Sequence, residues 1–166
     1  MSDMPADTAA TAAQNPTLRQ WRRFNAMPLG RRLFNRMVGF TVPYAASIRP
    51  EILTIEPGLA RVCIRDRRRV RNHLRSIHAV ALINLAEMTA NLAMMSRQPQ
   101  NGRWIVTGLD TEFVKKARGT VTAECRVAPL DWSVPQDIEG YAELRDPAGD
   151  VVMRARPRWK TGPVRT

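Results

Sequence analysis

The chain has 166 residues, 44% of them apolar, and carries 26 Lys and Arg against 15 Asp and Glu, a formal net charge of +11. That size and apolar share suit one compact domain with a real core and exclude a disordered chain. The positive excess attracts polyanions (nucleic acid, anionic lipid or a phosphorylated small molecule) without choosing among them.

The two cysteines, Cys63 and Cys125, form no CxxC pair, and the two histidines complete no zinc pattern with them, so no metal site is expected. Unpaired cysteines on strands suggest a reducing compartment, and no charged-then-apolar leader opens the chain, so a cytoplasmic location is expected.

Residues 1–15 are small and polar without a period, which predicts a flexible tail. A single domain is expected over 16–162, with 16–40 as an N-terminal helical extension. Asn15-Pro16 is a helix start with proline at the first helical position. Leu18, Trp21 and Phe24, then Leu33, Phe34 and Met37, sit at helical spacing, and Pro28 and Gly30 split the stretch into two short helices. From Ala45 the period changes to two. "SIRPEILTIE" predicts a strand, Glu56–Gly58 a tight turn, and "LARVCIR" a second strand with Ala60, Val62 and Ile64 on one face.

The loop "DRRRVRNHLRS" leads into an apolar helix running from Ile77 to about Ser96, and "RQPQNG" is a loop. Four more strands are expected near 104–116, 119–128, 137–146 and 150–160. Val121, Ala123, Cys125 and Val127 face one way, and Thr120, Thr122, Glu124 and Arg126 the other. Val151, Met153, Ala155 and Trp159 likewise oppose Arg154, Arg156, Arg158 and Lys160. Such alternation marks an antiparallel sheet wet on one side, with Asp146–Asp150 as its last hairpin turn. The expected fold class is α+β: an antiparallel β-sheet wrapped around one long central α-helix, with extra N-terminal helices.

That helix is long enough to span a bilayer, but it contains Asn84, Glu87, Thr89 and Asn91, so no membrane span is expected. Leu82, Leu85, Ala86, Thr89 and Ala93 cluster on the side that should meet the sheet. Asn84, Glu87 and Asn91 fall within an arc of about 60° on the other. A narrow polar stripe on an apolar helix must meet a pocket or a second copy of the same helix. Glu87 is then either a solvated or arginine-paired surface acid, or a carboxylate poised for general-base chemistry. Ser76 is the expected helix cap, which leaves the N–H groups of Ile77 to Val80 free to stabilise a developing oxyanion. Glu87 lies about two and a half turns further on, too far to share one carbonyl with its own helix start. Two helices packed antiparallel would bring Glu87 of one copy to the helix start of the other, giving a composite site twice per dimer. Continuous pairing between two such sheets would also cover an exposed edge.

Asn72, then His78 six residues on, then Glu87 nine further, in "NHLRSIHAVALINLAE", resembles the signature of the hotdog-fold acyl-CoA thioesterases, specifically the PaaI-like group and its DUF4442-type relatives. The flanks "VPYAASI" and "VKKARGTVTAE" are similar too, and the resemblance covers roughly residues 40–160. It implies a hotdog fold and hydrolysis of an acyl-CoA or related thioester. Glu87 would be nucleophile or base for water, and Asn72 would orient water or thioester. His78 would hold the carbonyl region or the loop, the Ala79 N–H would polarise the carbonyl, and Asn91 would orient the acid. The family usually reads His-Gly-Gly where this chain has His78-Ala79-Val80, so Val80 would narrow the acyl tunnel.

Coenzyme A enters as part of the substrate, with no separate cofactor. Its phosphates would meet a basic rim of Arg67, Arg68, Arg69 and Arg71, with Lys115, Lys116 and Arg118 ahead of Gly119. Each of these is otherwise a solvated surface charge. Gly119 should permit a bulge or a tight approach between strands, and His73 is expected to be structural. A homo-oligomer, dimer or tetramer (a dimer of dimers), is expected. The alternative is a non-catalytic acyl-CoA-binding hotdog protein, a sensor or carrier. A nucleic-acid or anionic-surface binder rests on charge alone, and no basic motif interleaved with aromatics supports a nucleic-acid partner.

Overall fold

The structure, a computed structural model, describes residues 15–164. The tail expected over 1–15 lies outside the described residues except for Asn15, which is buried. Its side chain accepts the Leu18 N–H at 3.0 Å and donates to the carbonyls of Met95 and Gln98 at 2.7 and 2.8 Å. One residue therefore caps the first helix and ties it to the far end of the central one.

Helix α1 (Pro16–Asn25) and helix α2 (Gly30–Thr41) form the expected hairpin, split at Pro28. They close on each other through Leu18, Trp21 and Phe34, the two rings meeting edge to face at 5.2 Å. A further turn of helix, α3 (Pro43–Ala46), was not anticipated. Strand β1 (Glu51–Glu56) and strand β2 (Leu59–Ile64) follow, joined at Gly58, which sits at φ +75°. Arg49 at φ +48° and Pro50 delay β1 relative to the expected strand start. Then come a single 3₁₀ turn (Arg68–Val70) and the long helix α4 (Ala79–Met95). Strands β3 (Gly102–Phe113), β4 (Val121–Arg126), β5 (Gln136–Glu139), β6 (Tyr141–Arg145) and β7 (Val151–Pro163) complete the chain.

The expected strand over 137–146 is two strands. Gly140 breaks it: its N–H turns to the Pro157 carbonyl at 2.9 Å, and a Cβ there would lie 2.7 Å from the Trp159 ring. The break sends β5 and β6 to different stretches of β7.

All pairings are antiparallel, in the order β1-β2-β4-β6-β7-β3 with β5 also on β7. Helix α4 lies on the inner face. Leu82, Leu85, Ala86, Thr89 and Ala93 are buried, as are Ala60, Val62, Val121, Ala123, Cys125, Met153, Ala155 and Trp159 opposite them. Val152 is buried as well, because the pairing slips between Leu144 and Arg145 and interrupts the simple alternation. The outer face carries cross-strand ion pairs, among them Arg61 with Glu124 at 3.3 Å and Arg154 with Glu112 at 3.3 Å.

The two sheet edges differ. At β1 the Asn35 amide of α2 stands in for a strand: it accepts the Ile52 N–H at 2.7 Å and donates to the Ile52 carbonyl at 3.4 Å. At β3, eleven of the twelve strand residues pair with β7 on one side. Among the described residues no helix is long and apolar enough to cross a membrane.

Candidate active site

The segment between β2 and α4 is built by hydrogen bonds from a few polar side chains. Asn72 Oδ1 accepts the Leu74 N–H at 2.9 Å, the Ser76 N–H at 3.2 Å and the Ser76 hydroxyl at 3.1 Å. The Asn72 N–H donates to the Ser76 carbonyl at 2.8 Å, and Arg75 takes φ +55° to close the ring. The chain then straightens beside its own incoming strand, Arg71 against Ile77, with the His78 N–H on the Val70 carbonyl at 2.7 Å. The Ile77 N–H goes to the Ala117 carbonyl at 2.9 Å, which ties the helix start to the β3–β4 connection.

These bonds correct the expected cap. Ser76 is buried and spent on Asn72; the N-cap is His78, whose Nδ1 accepts the Val80 N–H at 3.1 Å. The neutral ring then carries its proton on Nε2. The expectation of four free N–H groups from Ile77 to Val80 shrinks accordingly. Three are taken, and only that of Ala79 finds no acceptor among the described residues. Ala79 is exposed at the positive end of a 17-residue helix dipole, so this donor is open to a ligand. Val80 is 52% exposed beside it.

Asp66 holds the loop from below, and sequence reasoning missed it. Its Oδ1 meets Arg71 Nε at 2.5 Å and its Oδ2 accepts the Gly119 N–H at 3.0 Å. The Arg71 hydrogen bond, then the Gly119 N–H, hold its carboxyl below the usual range despite partial burial. As the lone acid among the arginines of "RDRRRVR", it was a signal the sequence carried. Gly119 is at φ +73°, and a Cβ there would lie 2.7 Å from Pro147, the tight approach expected of it, although the neighbour is a turn rather than a strand.

Along α4, Glu87 is the one ionisable residue, and it is exposed with no ion-pair or hydrogen-bond partner among the described residues. The stripe expected around it is less uniform than its spacing suggests. Asn84 is buried, with its amide 3.4 Å from the Tyr44 carbonyl of α3, so the unanticipated turn covers that flank. Asn91 is partly buried and accepts the Trp159 indole N–H at 3.1 Å. Glu87 lies eight residues beyond Ala79, about 12 Å along the helix axis. Within one protomer the two do not converge on one atom.

The basic rim divides. Lys115 is held by Asp146 at 2.8 Å and Asp150 at 2.5 Å, which raise its pKa, so it clamps the β6–β7 turn. Arg71 is paired with Asp66, and Arg67 donates to the Ile48 carbonyl at 2.5 Å. Arg68, Arg69, Lys116 and Arg118 are exposed, with no acid partner among the described residues. His73 is exposed in the loop. A separate open groove of about 700 Å³ on the outer sheet face is lined by Arg61, Glu124, Tyr141, Glu143 and Arg145 and includes none of the predicted site residues.

An antiparallel sheet wrapped around a single central helix, with the chain's candidate site residues at that helix's start and on its exposed side, is a hotdog fold, as the resemblance implied. The chain belongs to the DUF4442 family, a domain of unknown function, whose model matches residues 30–161. It is similar to the crystal structure of a structural-genomics protein, APC5556, at 29% identity and TM-score 0.78, over 89% of this chain and 98% of that one. It is also similar to PA5026 of Pseudomonas aeruginosa, a protein of unknown function described as a probable thioesterase (21% identity, TM-score 0.67, 82% and 98% covered). A third is the E. coli PaaI protein from the phenylacetic acid degradation operon (18% identity, TM-score 0.64, 80% and 96% covered). No curated protein matches the chain.

Proposed function

We propose that this protein hydrolyses an acyl thioester, with coenzyme A as the thiol that leaves. One observation carries the reading: the apolar central helix presents two polar groups with no partner among the described residues, the Ala79 N–H at its start and the Glu87 carboxylate on its exposed side. A thioester needs both. A donor must sit where the carbonyl oxygen gains charge, and a base or nucleophile must act at its carbon. Structural neighbours described as thioesterases support the same chemistry.

Because the two groups are about 12 Å apart along one helix, the site is composite. Two copies pair through the β3 edges, their α4 helices antiparallel, and Glu87 of one copy faces the Ala79 N–H of the other. Glu87 then acts on the carbonyl carbon, directly or through a water, while the N–H holds the oxyanion. Asn72 works indirectly here, since its oxygen is spent on the loop that aims Ala79. Lys116 and Arg118, like Arg68 and Arg69, are rim cations with no acid partner among the described residues and are suited to the coenzyme A phosphates.

One observation favours the second reading, binding without turnover. Val80 stands half-exposed where the resemblance calls for glycine, and its isopropyl group would narrow the approach of a ligand to the helix start. Thiol release from acyl-CoAs of short, long and aromatic acyl groups, by wild type and Glu87→Gln, separates the two. Turnover lost in the variant supports hydrolysis; binding without release by either protein leaves a carrier or sensor.

A further inference from the structure

We propose that the α1–α2 hairpin is a docking surface for an anionic lipid bilayer, independent of the proposed active site. Residues 15–50 contain seven arginines, no lysine and no acid. Arg31 meets Glu51 at 3.4 Å, while Arg19, Arg22, Arg23, Arg32 and Arg36 are exposed with no acid partner among the described residues. Charge alone would suit any polyanion. The apolar groups interleaved with it narrow the choice.

The hairpin tip, Met27-Pro28-Leu29, projects Leu29 at 71% exposure and holds it at φ +60°, a conformation that costs a leucine energy. From Leu29, the residues at +4, +7 and +11 share one helix face: Leu33, 50% exposed; Arg36; and Phe40, 73% exposed, with the Arg36 guanidinium 5.7 Å from its ring. The hairpin's own core is made by Leu18, Trp21 and Phe34, so this stripe is surplus to folding.

A helix face of large apolar residues flanked by arginines is the pattern that lies in a bilayer interface, side chains among acyl chains and cations among headgroups. Nucleic acid would reward the arginines but not an aliphatic stripe at a helix tip. A second copy of this face would set arginine against arginine. The location also fits. The hairpin packs on β1, the sheet edge opposite β3, so it stays outermost in a pair joined through β3.

Co-sedimentation of the full chain with vesicles of phosphatidylcholine alone, or of phosphatidylcholine and phosphatidylglycerol in equal amounts, tests this. Wild type should bind the anionic vesicles, more weakly as salt rises, and bind the neutral ones poorly. Leu33→Glu with Phe40→Glu should lower the partition coefficient at least about tenfold, given the lost apolar insertion and added repulsion. Arg22→Gln with Arg23→Gln should lower it on the order of 25-fold, at about fivefold per arginine. All four side chains are exposed, and unchanged melting curves confirm folding. No binding of wild type to anionic vesicles overturns the proposal. So does a loss confined to the arginine variant, with duplex DNA competing, which marks plain polyanion attraction. So does loss of wild-type oligomerisation in the Leu33/Phe40 variant, which makes the face a contact between copies.

Discussion

Replacing Asp66 by Ala should loosen the segment that aims the Ala79 N–H. The carboxylate joins two stretches far apart in sequence, Arg71 before α4 and Gly119 before β4, and the Ile77 N–H reaches the Ala117 carbonyl on the same connection. A hydrogen bond from a backbone N–H to an ionised carboxylate is worth about 1.5–3 kcal/mol. Arg71 is open to solvent and its ion pair adds little. For a chain of this size a loss of about 2 kcal/mol lowers Tm by roughly 4–8 °C. Activity should fall further than stability, since a displacement of about 1 Å at a reacting centre can cost on the order of a hundredfold.

The pH dependence has a definite sign. The native carboxyl is held below its usual value, so its stabilisation is fully present above the unfolded pKa of about 3.9 and fades as pH falls through the lower native one. The Tm gap between wild type and Asp66→Ala should therefore be widest near neutrality and narrow towards pH 3. Scanning calorimetry over that range measures it. A gap under about 1 °C at pH 7, or one constant down to pH 3, refutes the reasoning.

Asn15→Ala removes a cap and takes the side-chain donor from two part-buried carbonyls, Met95 at the α4 C-terminus and Gln98 just beyond it. It should cost about 3 kcal/mol and release α1, seen as faster amide exchange there than in the sheet. Burial, then the nearby Glu124 charge, pushes the Cys125 thiol up to about 12. The stability it confers is full below the unfolded thiol pKa, about 8.5, and is lost as pH rises from there towards 12, by at most about 1.4 kcal/mol per unit. Cys125→Ala should flatten the alkaline limb of an unfolding curve, and a thiol reagent at pH 8 should spare Cys125 until denaturant is added. Val80→Gly should raise kcat/KM for bulky acyl groups more than for acetyl, at a helix cost of up to about 1 kcal/mol; a uniform change across the panel would mean that Val80 does not border the acyl path.

How much was legible in the chain follows from which forces act locally. The central helix and most strands were, because burial imposes a period, and an apolar run flanked by alternating segments has few other solutions. Gly140 was not, since one glycine in an alternating run does not reveal that a neighbouring indole occupies its Cβ space. The cap was misassigned because serine commonly caps and histidine rarely does. Ser76 had a competing partner in Asn72, visible once the loop closed. Asn84 fell on the expected polar arc, yet α3 covers it. The spacing of Asn72, His78 and Glu87 could be read along the chain, and the lone Asp66 among its arginines could have been, whereas the bonds of Asp66 to Gly119, Asn35 to Ile52 and Asn15 to Met95 and Gln98 join stretches distant in sequence, which no local pattern encodes.

The proposed composite site is tested most directly by two damaged copies. Ala79→Pro removes the helix-start N–H that has no acceptor among the described residues; proline is well tolerated at the first helical position, and His78 before it is already extended, at ψ 140°. Each variant alone, Ala79→Pro or Glu87→Gln, should lose about a hundredfold or more in thiol release. Co-expressed in equal amounts, they should recover about a quarter of wild-type activity, because half of randomly paired dimers would carry one intact site of two. A mixture no more active than either variant alone would contradict the account.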